Sequence, residues 1–529
     1  MNKFIKPALD FDLTIFDRRK VSRLLLLLGA ILSILWSVYF MYRVVRIPHQ
    51  ITTLEGAAGV HTWFFLRGEN PYTLENQPIG ITLYGAMYNL VVLPFAARFG
   101  NTLAVHRAVN FVFILLSAAV FFFVVLRERR NHLSALACSA FAIISLAGVQ
   151  GLGGISAYPA PTGAFFFIAA IFVPFLLSFD AKSLVLSVFL ALAGFYTKPY
   201  FLLSFGIVAS YVFFFVSPKK GLMYGLSFSA AALLSILAVK RVFPLYFVDV
   251  IWANVSQSRR VLEHLLAQLQ SLTLTFLPLL VVIALGLVVD GIKMGGKNPA
   301  KRADGIKISR WNEPLFGYSP GYIFYAFGIA LLAFVTILGW HAPNPFGYAY
   351  QLVAPLFVCW AFGRLMPENK MNLLASLLIV VNLFAWQSSI MSPEYLKEKS
   401  RDEWTRLLSY LDGTESIIHP PLMVTEVMAR GFPPMDSGQT VIFFTIQPYP
   451  DTLLTDISYE RVRRDGYGHT TSINRRIENH RYDVIISVKD KAQFFNPWIL
   501  EQNYTLVDEI VIEMNMGGTH TLQIWKPNP

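Results

Sequence analysis

The stretch ITTLEGAAGVHTWFFLRGENPYTLENQPIGITLYGAMYNL (51–90) decides how this chain is read. It lies between an apolar run from Leu24 to about Tyr42 and a long series of further apolar segments. The first run has roughly the 20 residues that a bilayer crossing needs, so 51–90 is the body of a first loop, 46–98, between membrane-spanning segments. That loop carries Glu55, Glu69 and Glu75 among glycines, prolines and asparagines. Acids on an irregular segment at the membrane surface are suited to chemistry on a membrane-bound substrate.

Composition limits the classes. Of 529 residues, 55% are hydrophobic and only 15% charged, with a mean hydropathy of +0.50, which excludes an ordinary soluble domain. The net charge of +11 comes largely from Lys and Arg in short loops between apolar runs, the topogenic pattern of a multi-pass protein, and nucleic acid is not an expected partner. Cys138 and Cys359 both sit inside apolar runs and read as small core residues.

Ahead of the first run the chain reads Asp17-Arg18-Arg19-Lys20, and no small-residue cleavage site follows. We read an uncleaved span with its basic leader in the cytoplasm. Further apolar runs fall at about 79–98, 107–126, 133–149, 160–178, 183–197, 199–216, 221–239, 271–289, 320–339, 346–363 and 371–388. With all of them crossing, the basic loops 127–132, 180–182, 217–220, 291–319 and 364–370 fall mostly outside. With 79–98 re-entrant or interfacial, they face the cytoplasm. Pro78, Gly80, Gly85, Asn89 and Pro94 punctuate that run, so about eleven spans are expected. Residues 1–390 form the membrane domain, and Glu55, Glu69, Glu75, Asp249 and Glu263 are its outward acids. After residue 390, PEYLKEKSRDEWTRLLSYLDG reads as an amphipathic helix. SIIH, TVIFFTI, YDVIISV, YTLVDEIVIEM and TLQIW then read as strands of a soluble α/β domain, 391–529, on the outer side.

An acid soon after the first span, then GENPY, then LYGAMYNLVVLPFAARFG, resembles the first outer loop of the GT-C superfamily of membrane glycosyltransferases. FYTKPYFLL (195–203) is similar to that superfamily's TKP segment, and GWHAPNPFGYAYQLVAPLFV (339–358) to its late NYYLE..P stretch. The resemblance covers most of residues 20–390. It implies a polytopic α-helical enzyme, related to the family 39/87-like and arabinosyl or mannosyl transferases. Such an enzyme moves a hexose or pentose from a polyprenyl-phosphate carrier to a hydroxyl of a lipid, glycan or protein, with inversion. The chain departs from the pattern in two places. Glu55 has no second acid beside it, and AYPAP (157–161) is uncharged where many relatives carry an Arg-Asp element. No cofactor is therefore assigned, and a divalent metal is left open.

Sugar transfer needs a base at the acceptor hydroxyl and cations or dipoles at the departing phosphate. Glu55, about a dozen residues past the first span, is the expected base. Lys198 interrupts more than 30 apolar residues, where a charge is costly and usually functional. With Arg259 and Arg260, whose guanidinium groups suit phosphate, it is the expected phosphate site. Asp249 is a candidate second carboxylate, and His61, His341, Tyr84, Tyr158 and Tyr350 are candidate substrate contacts. No HxxxH or HExxH spacing joins His61, His264 and His341, which argues against zinc. Membrane lipids are the other expected partners, and a bacterial or archaeal plasma membrane, with the site facing out, the expected location. The rival readings are a lipid or sugar transporter or flippase, which the lack of half-to-half similarity disfavours, and a non-catalytic cell-envelope assembly protein.

Overall fold

The computed structural model describes residues 18–52, 54–147, 155–257, 260–294, 321–341, 348–365, 373–397, 399–449, 455–489, 491, 493–515 and 518–529. The membrane part consists of helices α1 (Arg18–Val45), α2 (Glu55–Leu66), α3 (Met87–Phe99), α4 (Leu103–Arg129), α5 (His132–Ala147), α6 (Ala160–Leu176) and α7 (Ala181–Thr197). There follow α8 (Leu203–Tyr211), α9 (Pro218–Val242), α10 (Ala253–Gln257), α11 (Leu262–Met294), α12 (Tyr322–Thr336), α13 (Ala354–Trp360) and α14 (Leu373–Ile390).

Among the described residues, seven helices are long and apolar enough to cross a membrane: 20–45, 103–129, 199–216, 218–242, 262–284, 322–340 and 373–396. Five shorter apolar helices, 87–99, 132–147, 160–176, 181–197 and 349–365, complete the bundle. Of these, α3 has 13 residues with Pro94 inside it. At 1.5 Å per residue it reaches only about 20 Å, short of a hydrocarbon core of about 30 Å.

The helix ends follow local sequence. The Asp180 side chain accepts the Ser183 N–H to cap α7, Thr102 caps α4 by accepting from Val105 N, and Ser217 caps α9 ahead of Pro218. Polar side chains join helices where lipid provides no water. Gln387 of α14 donates to Ser33 O and Ser37 Oγ of α1, both at 2.8 Å, and Ser145 Oγ of α5 reaches Tyr350 O at 2.9 Å. One helix escaped sequence reading. EGAAGVHTWFFL forms α2, because its small and apolar residues are buried beneath the C-terminal domain.

That domain is a four-stranded sheet of order β1-β2-β4-β3 with helices on both faces. β1 (Ile417–Ile418) runs parallel to β2 (Val484–Val488), and β4 (Gly518–Pro527) lies antiparallel between β2 and β3 (Tyr504–Met514). Alternate residues of β2 face opposite layers: Val484, Ile486 and Val488 pack with Trp404 and Leu407, and Ile485 packs with Ile473 and Phe495. The expected strand TVIFFTI is instead a short helix, Thr440–Phe443, followed by a turn. Its Phe443 and Ile446 do not join the sheet but pack on Leu74, Ile81 and Leu245 of the membrane part. A short apolar run does not reveal which neighbour will cover it.

The domain sits directly on the first loop. Gln50 Nε2 donates to Pro421 O at 2.8 Å, and the His49 ring stacks on Trp404 with centroids 4.4 Å apart. A Cβ on Gly56 would lie 2.4 Å from Val424 Cγ1, so the Val424 side chain of the domain packs directly on the backbone of the first turn of α2.

Candidate functional site

Glu55 opens α2 and is fully buried. Its partner is Arg107 on α4, also fully buried. Arg107 Nε donates to Glu55 Oε1 at 2.8 Å and Nη2 donates to Oε2 at 2.7 Å. The remaining guanidinium donors go to the carbonyls of Val44 (3.2 Å), Ile47 (2.5 Å) and His49 (2.8 Å) at the end of α1. Glu55 completes its own set with the N–H groups of Ile51 and Ala157, each at 2.7 Å. All five guanidinium donors are used, and each carboxylate oxygen accepts two bonds. A buried ion pair is tolerable when its lone pairs and protons are matched in this way.

The bond to Ala157 leads into the next part of the site. Asn110, on the same face of α4 one turn from Arg107, donates to Ser156 O (2.7 Å) and Tyr158 O (2.8 Å), and its oxygen accepts from Thr162 Oγ1 (2.9 Å). Residues 156–158 are thereby held between Glu55 and Asn110. Tyr158 presents its hydroxyl to Lys198, whose Nζ donates to it at 2.7 Å.

Lys198 is the last residue before Pro199 and has an extended backbone (φ −150°, ψ 127°). Proline disfavours the helical conformation in the residue before it, so α7 stops there. The side chain is 7% exposed and enclosed by rings, with Nζ 4.0 Å from the centroid of Tyr158, 5.1 Å from that of Tyr84 and 5.7 Å from that of Tyr200. The cage walls are themselves fixed. Tyr84 stands edge-on to Tyr158 at 4.9 Å, Tyr200 donates to Gln351 Oε1 at 2.5 Å, and Tyr348 crosses Tyr200 at 90°. Tyr84 is brought in by Gly85, whose N–H donates to Thr197 O at 3.0 Å. A Cβ at Gly85 would fall 1.8 Å from the Tyr196 carbonyl oxygen, so only glycine permits the approach. Quadrupoles of three tyrosines hold the ammonium, one of its three N–H donors is spent on Tyr158, and no carboxylate pairs with it among the described residues. Such a group is suited to an anion.

The other candidates fall elsewhere. His61 is buried in α2 with Nε2 2.7 Å from Gly80 O, and burial lowers its pKa to about 4. It ties α2 to the Pro78–Gly80 turn. Asp249 is buried and accepts from Gln77 Nε2 at 2.9 Å; burial pushes its carboxyl well above the usual range, opposed by the Gln77 bond. No contact joins Asp249 to Glu55 among the described residues. Tyr350 is buried, with its hydroxyl on Ser271 (3.0 Å) and Thr275 (2.7 Å) of α11. His341 is half-buried after the turn Leu338–Trp340, its pKa lowered by burial and by the charge of Arg260. Arg260 itself is exposed, and Arg259 lies outside the described residues. Glu69 pairs with Arg67 on the surface at 2.8 Å. Among the described residues, no three His, Cys, Asp or Glu side chains come together as metal ligands.

Sequence reading gave no individual role to Arg107, Asn110, Tyr200 or Gln351. Arg107 did carry a signal: a guanidinium among the apolar residues of a span demands a partner.

No family model matches the chain, and no curated protein matches it. Among solved structures, the crystal structure of ArnT from Cupriavidus metallidurans in the apo state is similar over 93% of this chain and 97% of that one, with 11% identity and a TM-score of 0.50. The fold is GT-C-like. A second structure of ArnT, bound to undecaprenyl phosphate, covers the same shares at 12% identity and a TM-score of 0.46. The GT-C-like arrangement accounts for both parts of the chain, the helical membrane bundle and the small sheet domain seated on its first loop.

Proposed function

We propose that this protein is a membrane glycosyltransferase. It takes a sugar from a polyprenyl-phosphate carrier and passes it to a hydroxyl of a lipid, polysaccharide or protein at the extracytoplasmic face. One observation carries the reading: a lysine buried in a tyrosine cage, two of its N–H donors uncommitted among the described residues, connected through the Ala157–Tyr158 dipeptide to a buried carboxylate. In the reaction the acceptor oxygen bonds to the anomeric carbon as the carbon–oxygen bond to phosphate breaks. The bonding pair leaves with the phosphate, and the acceptor proton passes to a base.

Lys198 is assigned to the departing phosphate, with charge placed where charge develops. Tyr84, Tyr158 and Tyr200 offer faces on which a sugar or isoprenoid unit stacks. Arg260, beside His341, and Arg259 are assigned as further cations for the carrier. Glu55 is assigned as the base. Since both of its oxygens are fully bonded, the acceptor hydroxyl has to take the place of one backbone donor, Ile51 N or Ala157 N, before the proton can move.

The test is mass-spectrometric detection of transfer by the purified protein from a panel of polyprenyl-phosphate sugars, with and without EDTA. Wild type should release polyprenyl phosphate. Glu55→Gln, assayed below its thermal transition, which the loss of the Arg107 pair should lower, should keep donor binding and lose turnover. A folded wild-type protein that binds the carriers but consumes none of them would overturn the reading.

A further inference from the structure

The C-terminal domain does more than cover the loop. Its turn Asp436-Ser437-Gly438-Gln439-Thr440 inserts against Leu83–Tyr84, the segment that supplies one wall of the lysine cage. Gln439 is 1% exposed, and its Oε1 accepts the Leu83 N–H at 2.7 Å. The turn is built to hold that side chain in place. Asp436 Oδ1 accepts from Gly438 N at 2.9 Å, Ser437 N donates to Thr440 Oγ1 at 3.2 Å, and Ser437 Oγ accepts from Gln439 N at 3.3 Å. The backbone of the target segment is held from other sides as well: Leu83 O accepts from Asn254 Nδ2 at 2.8 Å, and Gly85 N is bonded to Thr197 O.

One group in this arrangement is left over. Gln439 Nε2 is buried and has no partner at full hydrogen-bond distance among the described residues; the group it approaches is the Tyr84 hydroxyl, on the ring that faces Lys198 and Tyr158. A buried amide donor left without a full hydrogen bond is costly. Buried orphans of this kind call for a ligand or a catalytic role. An anionic oxygen placed against Lys198 would be such a ligand.

We propose that Gln439 is a substrate-recognition residue contributed by the C-terminal domain. Its Oε1 fixes the Leu83–Tyr84 wall, and its Nε2–H donates to an oxygen of the phosphate or sugar held beside Lys198. The site is then shared between the two parts of the chain, and the domain is required for carrier binding as well as for stability. This rests on the assignment of the cage as the carrier site.

The experiment measures binding of undecaprenyl phosphate to the full-length protein in detergent by native mass spectrometry, together with the thermal transition of each variant. Gln439→Glu keeps an acceptor for Leu83 N and removes the amide donor, whereas Gln439→Leu removes both. Gln439→Glu, assayed at pH 8 and below its thermal transition, which burial of the carboxylate should lower, should weaken binding about tenfold or more, the size of one charge-assisted hydrogen bond. Gln439→Leu should weaken binding and lower the transition as well. Lys198→Ala serves as the reference. If Lys198→Ala weakens binding and Gln439→Glu leaves it unchanged, the role of Gln439 is overturned while the cage stands. If Lys198→Ala itself leaves binding unchanged, the cage is not the carrier site and both readings fall.

Discussion

Lys198 Nζ lies 2.7 Å from Tyr158 Oη and 4.0 Å from the centre of the same ring, so a single tyrosine both bonds and shields the buried ammonium. The residue before it, Ala157, donates its N–H to Glu55. Cation and carboxylate are thus fixed by consecutive residues, whose Cα atoms are about 3.8 Å apart across a trans peptide.

The two functions of Tyr158 should separate. Tyr158→Phe keeps the ring and removes the bond, and should raise the KM for the lipid-linked donor several-fold with a small change in stability. Lys198→Ala should lower transfer by about 100-fold or more, the scale of a lost electrostatic contact to a developing charge. Steady-state kinetics on both variants check this, and equal effects would mean that the lysine acts only through its tyrosine.

Arg107 is predicted to be a stability residue first. Arg107→Met strands Glu55 and the carbonyls of Val44, Ile47 and His49 without their donor, and breaking a buried pair costs about 3–5 kcal/mol. Arg107→Lys should not rescue it, because three rotatable donors cannot replace a planar set of five. The thermal transition in detergent is the readout. A Lys variant with wild-type stability would contradict the geometry.

Two glycines give opposite expectations. Gly85→Ala places a Cβ 1.8 Å from the Tyr196 carbonyl oxygen. Since the Cβ has no rotamer to escape through and the atom it meets is backbone, the 82–86 segment must move, and transfer activity should collapse. Gly206, inside α8, has nothing within 4 Å of a built Cβ, so Gly206→Ala should be neutral or slightly stabilising, by up to about 1 kcal/mol. Expression, thermal transition and activity of the pair provide the comparison.

The C-terminal domain should lose stability in mild acid. His419 is buried, its pKa lowered to about 4 by burial. Its Nε2 accepts from Met435 N at 3.0 Å, and Nδ1 lies 3.1 Å from Pro420 O. A neutral ring with its proton on Nδ1 satisfies both contacts. An unfolded chain takes up a proton near 6.5 and the folded domain only near 4, so this contribution is present above pH 6.5 and is lost as pH falls toward 4. Asp436 has the opposite sign, because burial raises its carboxyl and stability declines as pH rises through its folded value. Denaturation of wild type and His419→Gln across pH 4–8 isolates the histidine, and a wild-type slope unchanged in the variant would contradict its role.

Local sequence determined the membrane class and the positions of the apolar helices, because hydropathy, capping residues and proline act over a few neighbouring positions. It also singled out Glu55 and Lys198, since isolated charges near or within apolar stretches need a reason. Tertiary structure alone decided what those charges meet. Glu55 and Arg107 are 52 residues apart, Lys198 and Tyr158 are 40 apart, and Leu83 and Gln439 are 356 apart, and no periodicity encodes such pairings. The same limit explains TVIFFTI, which has the residues of a strand and became a helix and turn on the membrane part. Burial is a property of the assembled neighbours, and the sequence of one segment does not contain them.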